Sequence, residues 1–139
     1  MIILDTNVLS GLIRPEPDRI VVSWLDGQSP LSVWITSITV YEVRYGLAIM
    51  PPGRRRALTA KEFQRALDEN FEGRVLPFEA AAADCVASLM GRRHEIGQLG
   101  ELRDTLIAGI AMANRATLAT RNVRHFGDVE VPVVNPWES

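Results

Sequence analysis

The sequence predicts an α/β fold in which helices cover both faces of a central parallel sheet. Short runs of branched and aromatic residues alternate with longer helical segments along the 139-residue chain, and this alternation is typical of parallel sheets. The first run, Ile2–Leu4, is wholly apolar, as expected for a strand buried on both faces. The chain length suits one folding unit, so we expect a single domain over residues 1–139.

Sequence patterns in the N-terminal half of the chain predict two strands and four helices. Apolar residues at 8, 9, 12 and 13 predict a helix directly after the first strand. Asp18 can cap a second helix, which Gly27 ends. The run 31–35 predicts the second strand. A third helix begins at 37 or 39 and ends before two prolines and a glycine, and a fourth covers 54–71, with Leu58, Phe63, Ala66 and Leu67 on its inner face.

The C-terminal half predicts three more strands, at 75–78, 117–119 and 131–134, and two helices, at 80–94 and 102–113. The second of these helices is almost entirely apolar from Leu106 onward. A helix that is apolar all round is buried. We therefore expect this helix to lie in the core.

Composition limits the function and the location. The net charge of −2 argues against a broad surface that coats nucleic acid, so any nucleic-acid site must be local. No apolar run approaches the roughly 20 residues of a membrane helix, and we find no secretory signal. The single cysteine, Cys85, excludes an internal disulfide framework and fits a reducing compartment. We expect a cytoplasmic protein without membrane contact, in which Cys85 is a small buried hydrophobic residue.

Three acidic residues fall at positions that this topology brings together. Asp5 ends the first strand, Glu42 lies in the first turn of the helix after the second strand, and Asp104 opens the buried helix. Open α/β sheets place their ligands at the carboxyl ends of the strands. A partly buried carboxylate such as Asp104 needs a partner or a metal. The three acids are therefore a candidate site.

Each acid also has a purely structural explanation. Asp5 and Asp104 can cap the helices that follow them, and Thr39 with Glu42 matches a capping box. If the three meet instead, their like charges require a cation. A cluster of oxygen ligands suits Mg²⁺ or Mn²⁺, with Thr6 or Asn122 beside the ion. A water molecule acidified by such an ion can attack a phosphodiester.

Four segments resemble, in order, the four motifs of PIN-domain ribonucleases. They are Leu-Asp-Thr-Asn-Val-Leu at 4–9, Ser-Ile-Thr-Val-Tyr-Glu at 37–42, Asp-Thr-Leu-Ile-Ala at 104–108, and Ala-Thr-Arg-Asn at 119–122. More narrowly, the chain resembles the bacterial VapC toxins and their FitB-like branch, to which the Asn-Pro-Trp ending at 135–137 is similar. Any one motif is weak, but four in register over residues 2–137 are specific.

The resemblance implies a three-layer α/β/α fold around a parallel sheet of about four or five strands. It implies a Mg²⁺- or Mn²⁺-dependent endoribonuclease that is the toxin of a type II toxin–antitoxin system, with RNA as substrate, a cognate antitoxin and a homodimer. Metal would be bound by Asp5, Glu42 and Asp104. The catalytic residues would be these three acids and Asn122, and the candidates for substrate binding are Thr6, Asn7, Thr120, Arg121 and Arg124.

One departure from the family concerns the last motif. The family often has a fourth acid there, whereas this chain has Asn122 and, before Phe126, His125. A missing charge weakens a second metal, so we expect one bound ion. A lone histidine beside an aromatic residue is more often a packing residue than a substrate contact. Arg121 and Arg124 can contact the RNA backbone as sequence-independent charges.

Three alternatives belong to other classes. A phosphohydrolase with Asp5 as nucleophile usually has a second acid at position 7, where this chain has Asn7. A receiver domain needs a lysine near the end of its last strand, but the only lysine, Lys61, lies in a predicted helix. The third alternative is a PIN-like module that binds RNA or protein without cleaving RNA, and the three acids argue against it.

Overall fold

A computed structural model describes residues 1–138. Within that range the chain forms five strands and six α-helices, and none of the helices is long and apolar enough to cross a membrane. In chain order they are β1 (Ile2–Leu4), α1 (Thr6–Ile13), α2 (Arg19–Asp26), β2 (Val33–Thr36), α3 (Ser37–Ile49), α4 (Arg54–Arg65), β3 (Val75–Leu76), α5 (Ala80–Ile96), α6 (Leu102–Ala113), β4 (Thr117–Ala119) and β5 (Val133–Val134).

The five strands form one parallel sheet in the order β3-β2-β1-β4-β5. In the central strand β1, Ile2 pairs with Val33 of β2 on one side and with Thr117 of β4 on the other. The chain adds β2 and β3 to one edge and then crosses over to add β4 and β5 to the other. This reversal leaves a crevice at the carboxyl ends of β1 and β4, where open α/β sheets bind their ligands.

Successive residues of a strand face opposite sides of the sheet, so the strands contribute side chains to two separate hydrophobic cores. Leu4, Ile35 and Ala119 pack with helices α1 to α4 on one face of the sheet. Ile3 and Leu118 pack with α5 and α6 on the other face. The predicted three-layer α/β/α architecture with its parallel sheet is therefore confirmed.

Helix α6 packs closely against α5 through Gly109. A Cβ atom at this position would lie 2.3 Å from Cγ2 of Val86 and 2.9 Å from the carbonyl oxygen of Ala82. Residues from Ile107 to Ala111 are all buried, as the apolar sequence predicted. The absence of a side chain at Gly109 lets the two helices approach each other.

Prolines shorten three of the predicted strands. Pro30 begins a 3₁₀ turn, Pro30–Ser32, so β2 starts at Val33 rather than 31. Pro77 has no N–H to donate, and β3 ends at Leu76, not 78. The last strand begins at Val133, directly after Pro132, rather than at 131.

Several helix predictions also need correction. The fourth helix ends at Arg65 and continues as a wider π-type turn, Ala66–Asn70, instead of running regularly to 71. Leu58 is 37% exposed, so it does not share the inner face of Phe63. The fifth helix extends to Ile96, two residues beyond the expected end. Cys85 is only partly buried.

Candidate active site

Asp5 is the buried centre of the site. It follows β1, its amide donates to the Ala119 carbonyl at 2.8 Å, and the residue is only 3% exposed. Its carboxylate accepts hydrogen bonds from the Thr6 amide at 2.8 Å, the Thr120 hydroxyl at 2.7 Å and the Asn7 amide group at 3.3 Å. All three donors are neutral. Asp5 therefore caps α1, as predicted for its structural role, and also joins the ends of β1 and β4.

Burial raises the pKa of Asp5 from 3.8 to about 6. The hydrogen bonds from Thr120 and Thr6 lower the pKa, but the negative charges of Asp104 and Glu42 raise it further. Glu42 and Asp104 are thus close enough to Asp5 for their charges to affect its ionisation. A nearby cation would favour the ionised form of Asp5.

Glu42 lies in the second turn of α3, not in the first turn as predicted, because the helix already begins at Ser37. Its Oε1 accepts from the Thr6 hydroxyl at 2.8 Å, and its Oε2 lies 3.6 Å from Arg103 Nη1. The pKa of Glu42 is raised, mainly by burial.

The capping-box interpretation of Glu42 is wrong. The Thr39 amide donates to the Thr36 hydroxyl at 3.2 Å, so Thr36 caps the helix. The Thr39 hydroxyl instead lies 3.0 Å from the Thr6 hydroxyl. Glu42 therefore does not bond the start of α3. It is held instead by the hydroxyl of Thr6, the residue that follows Asp5.

Asp104 lies in the first turn of α6, as predicted, but it is not the cap of that helix. Glu101 has this role, because its carboxylate accepts from the Asp104 amide at 2.9 Å. The Asp104 side chain is 22% exposed, and its Oδ2 lies 2.9 Å from Nδ1 of His125, which is 54% exposed. His125 therefore contacts a candidate catalytic acid, and this role was not predicted from the sequence.

Two clefts flank the acids. The Glu42 cleft has a volume of about 520 Å³ and is also lined by Arg121. The Asp104 cleft has a volume of about 480 Å³ and is also lined by Arg124 and His125. A hollow of about 350 Å³ shares Arg121 with the first cleft and Arg124 and His125 with the second. Arg121 and Arg124 therefore line a path that leads from the Glu42 cleft to the Asp104 cleft.

The two asparagines among the predicted site residues, Asn7 and Asn122, have different surroundings. Asn7 is part of the Asp5 network, because its Oδ1 accepts from the Arg121 amide at 3.2 Å and its Nδ2 lies 3.4 Å from the Thr120 hydroxyl. The Asn122 side chain is exposed and lines the hollow, while its amide donates to the Thr120 hydroxyl at 3.1 Å. Asn122 thus adjoins the acids through Thr120.

Arg121 is held by a tryptophan near the end of the chain. Its guanidinium lies 4.6 Å from the centre of the Trp137 ring, at a distance typical of cation–π contacts. The Trp137 indole donates in turn to Asp18 at 3.1 Å. The Asn-Pro-Trp ending contributed to the resemblance, but the contact with Arg121 could not be predicted from it.

The donor atoms fit a hard divalent cation with retained water. All three acids supply oxygen, which Mg²⁺ and Mn²⁺ prefer, and buried Asp5 has only neutral hydrogen-bond donors. Among residues 1–138, however, no three His, Cys, Asp or Glu side chains form a compact ligand group. An ion that keeps several of its waters needs only one or two direct carboxylate ligands.

Comparison with known proteins gives the same family from sequence and from structure. The model of the PIN domain family matches residues 2–131. The chain is 39% identical over 138 residues to "VapC ribonuclease Y4jK" of Sinorhizobium fredii, with 99% of both chains covered. It is 35% identical over 137 residues to "Toxin FitB" of Neisseria gonorrhoeae, again with 99% of both covered.

A solved structure extends the likeness to the whole fold. The crystal structure of FitAcB from Neisseria gonorrhoeae superposes with a TM-score of 0.89 at 34% identity, and the alignment covers 100% of both chains. The matched residues 2–131 include all four motifs of the predicted site. This chain therefore belongs to the PIN-domain family, in the group that contains the VapC and FitB toxins.

Proposed function

We propose that this protein is a Mg²⁺- or Mn²⁺-dependent endoribonuclease and the toxin of a type II toxin–antitoxin system. The observation that carries the proposal is buried Asp5, whose pKa is raised to about 6 by burial and by the charges of Asp104 and Glu42. A buried carboxylate costs free energy unless it is paired, and neighbouring negative charges add to that cost unless a cation offsets them. The relative named "VapC ribonuclease Y4jK" supports the choice of RNA.

In this proposal the chain's own residues hold and orient the reactants. Asp5, Glu42 and Asp104 would hold the divalent ion, which when bound acidifies water and offsets negative charge on the phosphoryl group. Thr6 fixes Glu42, and Thr120 fixes Asp5, by hydrogen bonds of 2.8 and 2.7 Å. These bonds set the positions of the carboxylates before RNA arrives.

The RNA strand would lie along the path between the two clefts. Arg121 and Arg124 would contact its phosphates, because both line the hollow that joins the Glu42 and Asp104 clefts. Asn122 lines the same hollow and is the one uncharged residue among the four proposed catalytic residues. Such contacts position the backbone without reading sequence.

The phosphohydrolase alternative is disfavoured by the environment of Asp5. A nucleophilic carboxylate must reach the phosphorus atom, but Asp5 is 3% exposed and both of its oxygens accept hydrogen bonds. A role as a buried ligand suits this environment better than a covalent role.

The test is RNA cleavage by purified protein. We expect structured RNAs to be cut with Mg²⁺ or Mn²⁺ and to remain intact with EDTA or with the Asp5→Asn variant. Asp26→Asn, at an exposed acid on α2, is the matched control and should cut like wild type. RNA that is bound but not cut would support the non-catalytic alternative, and cutting in EDTA would refute metal dependence.

We also infer two protein partners, an antitoxin and a second copy of the chain. A chain that is 25% identical, with a TM-score of 0.72, occurs in a structure named "Toxin-antitoxin complex from Klebsiella pneumoniae", which supports an antitoxin. Helix α3 supports a protein contact, because Tyr41 and Tyr45 are 56% and 49% exposed and their rings stack at 6.0 Å. For the antitoxin, we expect the product of an adjacent short gene to co-purify with this chain and to inhibit cleavage. For the second copy, we expect the free chain to sediment as a dimer.

A further inference from the structure

Arg93 is a buried cation in the last turns of α5 that no part of the proposed chemistry uses. It is only 5% exposed. Its Nε and Nη2 donate to the two oxygens of Asp128 at 2.8 and 2.9 Å. Nη1 donates to the Thr105 hydroxyl at 2.8 Å and to the Leu99 carbonyl at 3.2 Å. Nη2 also donates to the His125 carbonyl at 3.4 Å.

These partners lie on both sides of the contact between Asp104 and His125. Thr105 is the neighbour of Asp104 in the first turn of α6. The His125 carbonyl belongs to the residue whose ring contacts Asp104 at 2.9 Å. One guanidinium therefore bonds the side chain of the residue next to the acid and the backbone carbonyl of the acid's partner, 12 and 32 residues away in sequence.

The loop before α6 is adapted to the guanidinium. Gly100 has a φ of +75°, and a Cβ atom there would lie 2.8 Å from Arg93 Nη1. Only glycine combines this backbone conformation with so close an approach. The planar guanidinium supplies five donors in a fixed arrangement, which lysine cannot reproduce.

We propose that Arg93 is a positioning residue for RNA cleavage, holding Asp104 and His125 in register at the edge of the Asp104 cleft. The inference depends on the proposed ribonuclease function. Arg93 lies in the wall of the Asp104 cleft, but it is only 5% exposed and its guanidinium is bonded to Thr105, Asp128 and two carbonyl groups, so we expect it to act through Asp104 and His125 rather than by binding RNA. Its loss should therefore affect turnover more than substrate affinity.

The test compares Arg93→Lys, Arg93→Gln and Asp128→Asn. Lysine keeps the charge but cannot hold all the partners, so we expect kcat to fall about 10- to 100-fold in both Arg93 variants, with KM within about threefold. Asp128 is 45% exposed, so Asp128→Asn is the milder variant and should lower kcat less. Arg65→Lys and Glu69→Gln alter an exposed pair of the same kind and serve as matched controls with unchanged kcat.

A second readout is independent of activity. The ¹⁵N and ¹H resonances of the His125 ring report its contact with Asp104, and we expect them to shift in folded Arg93→Lys but not in Arg65→Lys. Either unchanged ring resonances or unchanged kcat in folded Arg93→Lys would overturn the inference. If wild type cuts no RNA, the proposed function fails, and the ring resonances alone decide whether Arg93 positions His125.

Discussion

Replacing Asp5 with asparagine should abolish RNA cleavage and at the same time make the metal-free protein more stable at neutral pH. Cleavage should fall at least about 100-fold, because a bound ion contributes several kcal/mol of transition-state stabilisation. Stability should rise because burial and two neighbouring acids disfavour the Asp5 anion, whose pKa is raised to about 6. Stability and activity would thus be opposed at this residue.

The pH dependence of this gain has a defined direction. The folded-state pKa lies above the unfolded value of 3.8, so the folded state binds this proton more tightly than the unfolded state does. The Asp5 side chain therefore favours folding below about pH 4, and this contribution is lost as pH rises through about 6. With 1.36 kcal/mol per pKa unit, the full loss is about 3 kcal/mol.

Urea denaturation of wild type and Asp5→Asn in EDTA, from pH 4 to pH 8, measures this difference. We expect the free energy of unfolding of the variant to exceed that of wild type by about 1–3 kcal/mol above pH 6.5, with the gap closing towards pH 4. Asp26→Asn should follow wild type throughout. A variant that is less stable than wild type at pH 7.5 would mean that the Asp5 anion is favourable in the fold.

Replacing Gly109 with alanine should destabilise the fold by about 2–3 kcal/mol, as expected for overpacking of a well-packed core. The new methyl group would lie 2.3 Å from Cγ2 of Val86 and 2.9 Å from the carbonyl oxygen of Ala82, so α5 and α6 must separate. Chemical denaturation measures the effect. Gly91→Ala, on the exposed side of α5 where a Cβ atom meets nothing within 4 Å, should instead stabilise by about 0.5–1 kcal/mol.

A second substitution tests the cause of the Gly109 effect. Val86→Ala, added to Gly109→Ala, removes the side-chain clash but leaves the clash with the Ala82 carbonyl. We therefore expect only partial recovery of the free energy of unfolding relative to Gly109→Ala. If Gly109→Ala alone behaves like Gly91→Ala, the close approach of the two helices is not a constraint on the fold.

The order of strands and helices follows from local sequence patterns. The apolar run Ile2–Leu4 and the apolar helix α6 form the core elements that their patterns predicted. Boundaries were less predictable, because Pro77 and Pro132 end or delay strands whose side-chain pattern continues past them. The apolar side-chain pattern shows which residues suit a strand. The length of the strand also depends on which residues have a backbone N–H to donate, and proline has none.

The proximity of the three predicted acids follows from the sheet topology, which places the end of β1 and the starts of α3 and α6 at one edge of the sheet. The charges of Glu42 and Asp104 both raise the pKa of Asp5, although these residues are far apart in sequence. What the sequence does not reveal is side-chain partnership. The contact of Asp104 with His125 spans 21 residues, and that of Arg93 with Asp128 spans 35. No periodicity or capping rule connects residues at such separations.

Mn²⁺ binding by isothermal titration calorimetry tests the central claim most directly, namely that Asp5, Glu42 and Asp104 share one divalent ion. We expect one Mn²⁺ per chain in wild type, and affinity at least about tenfold weaker in each of Asp5→Asn, Glu42→Gln and Asp104→Asn. Asp26→Asn should bind like wild type. Wild-type affinity in any one of the three variants would contradict the shared site.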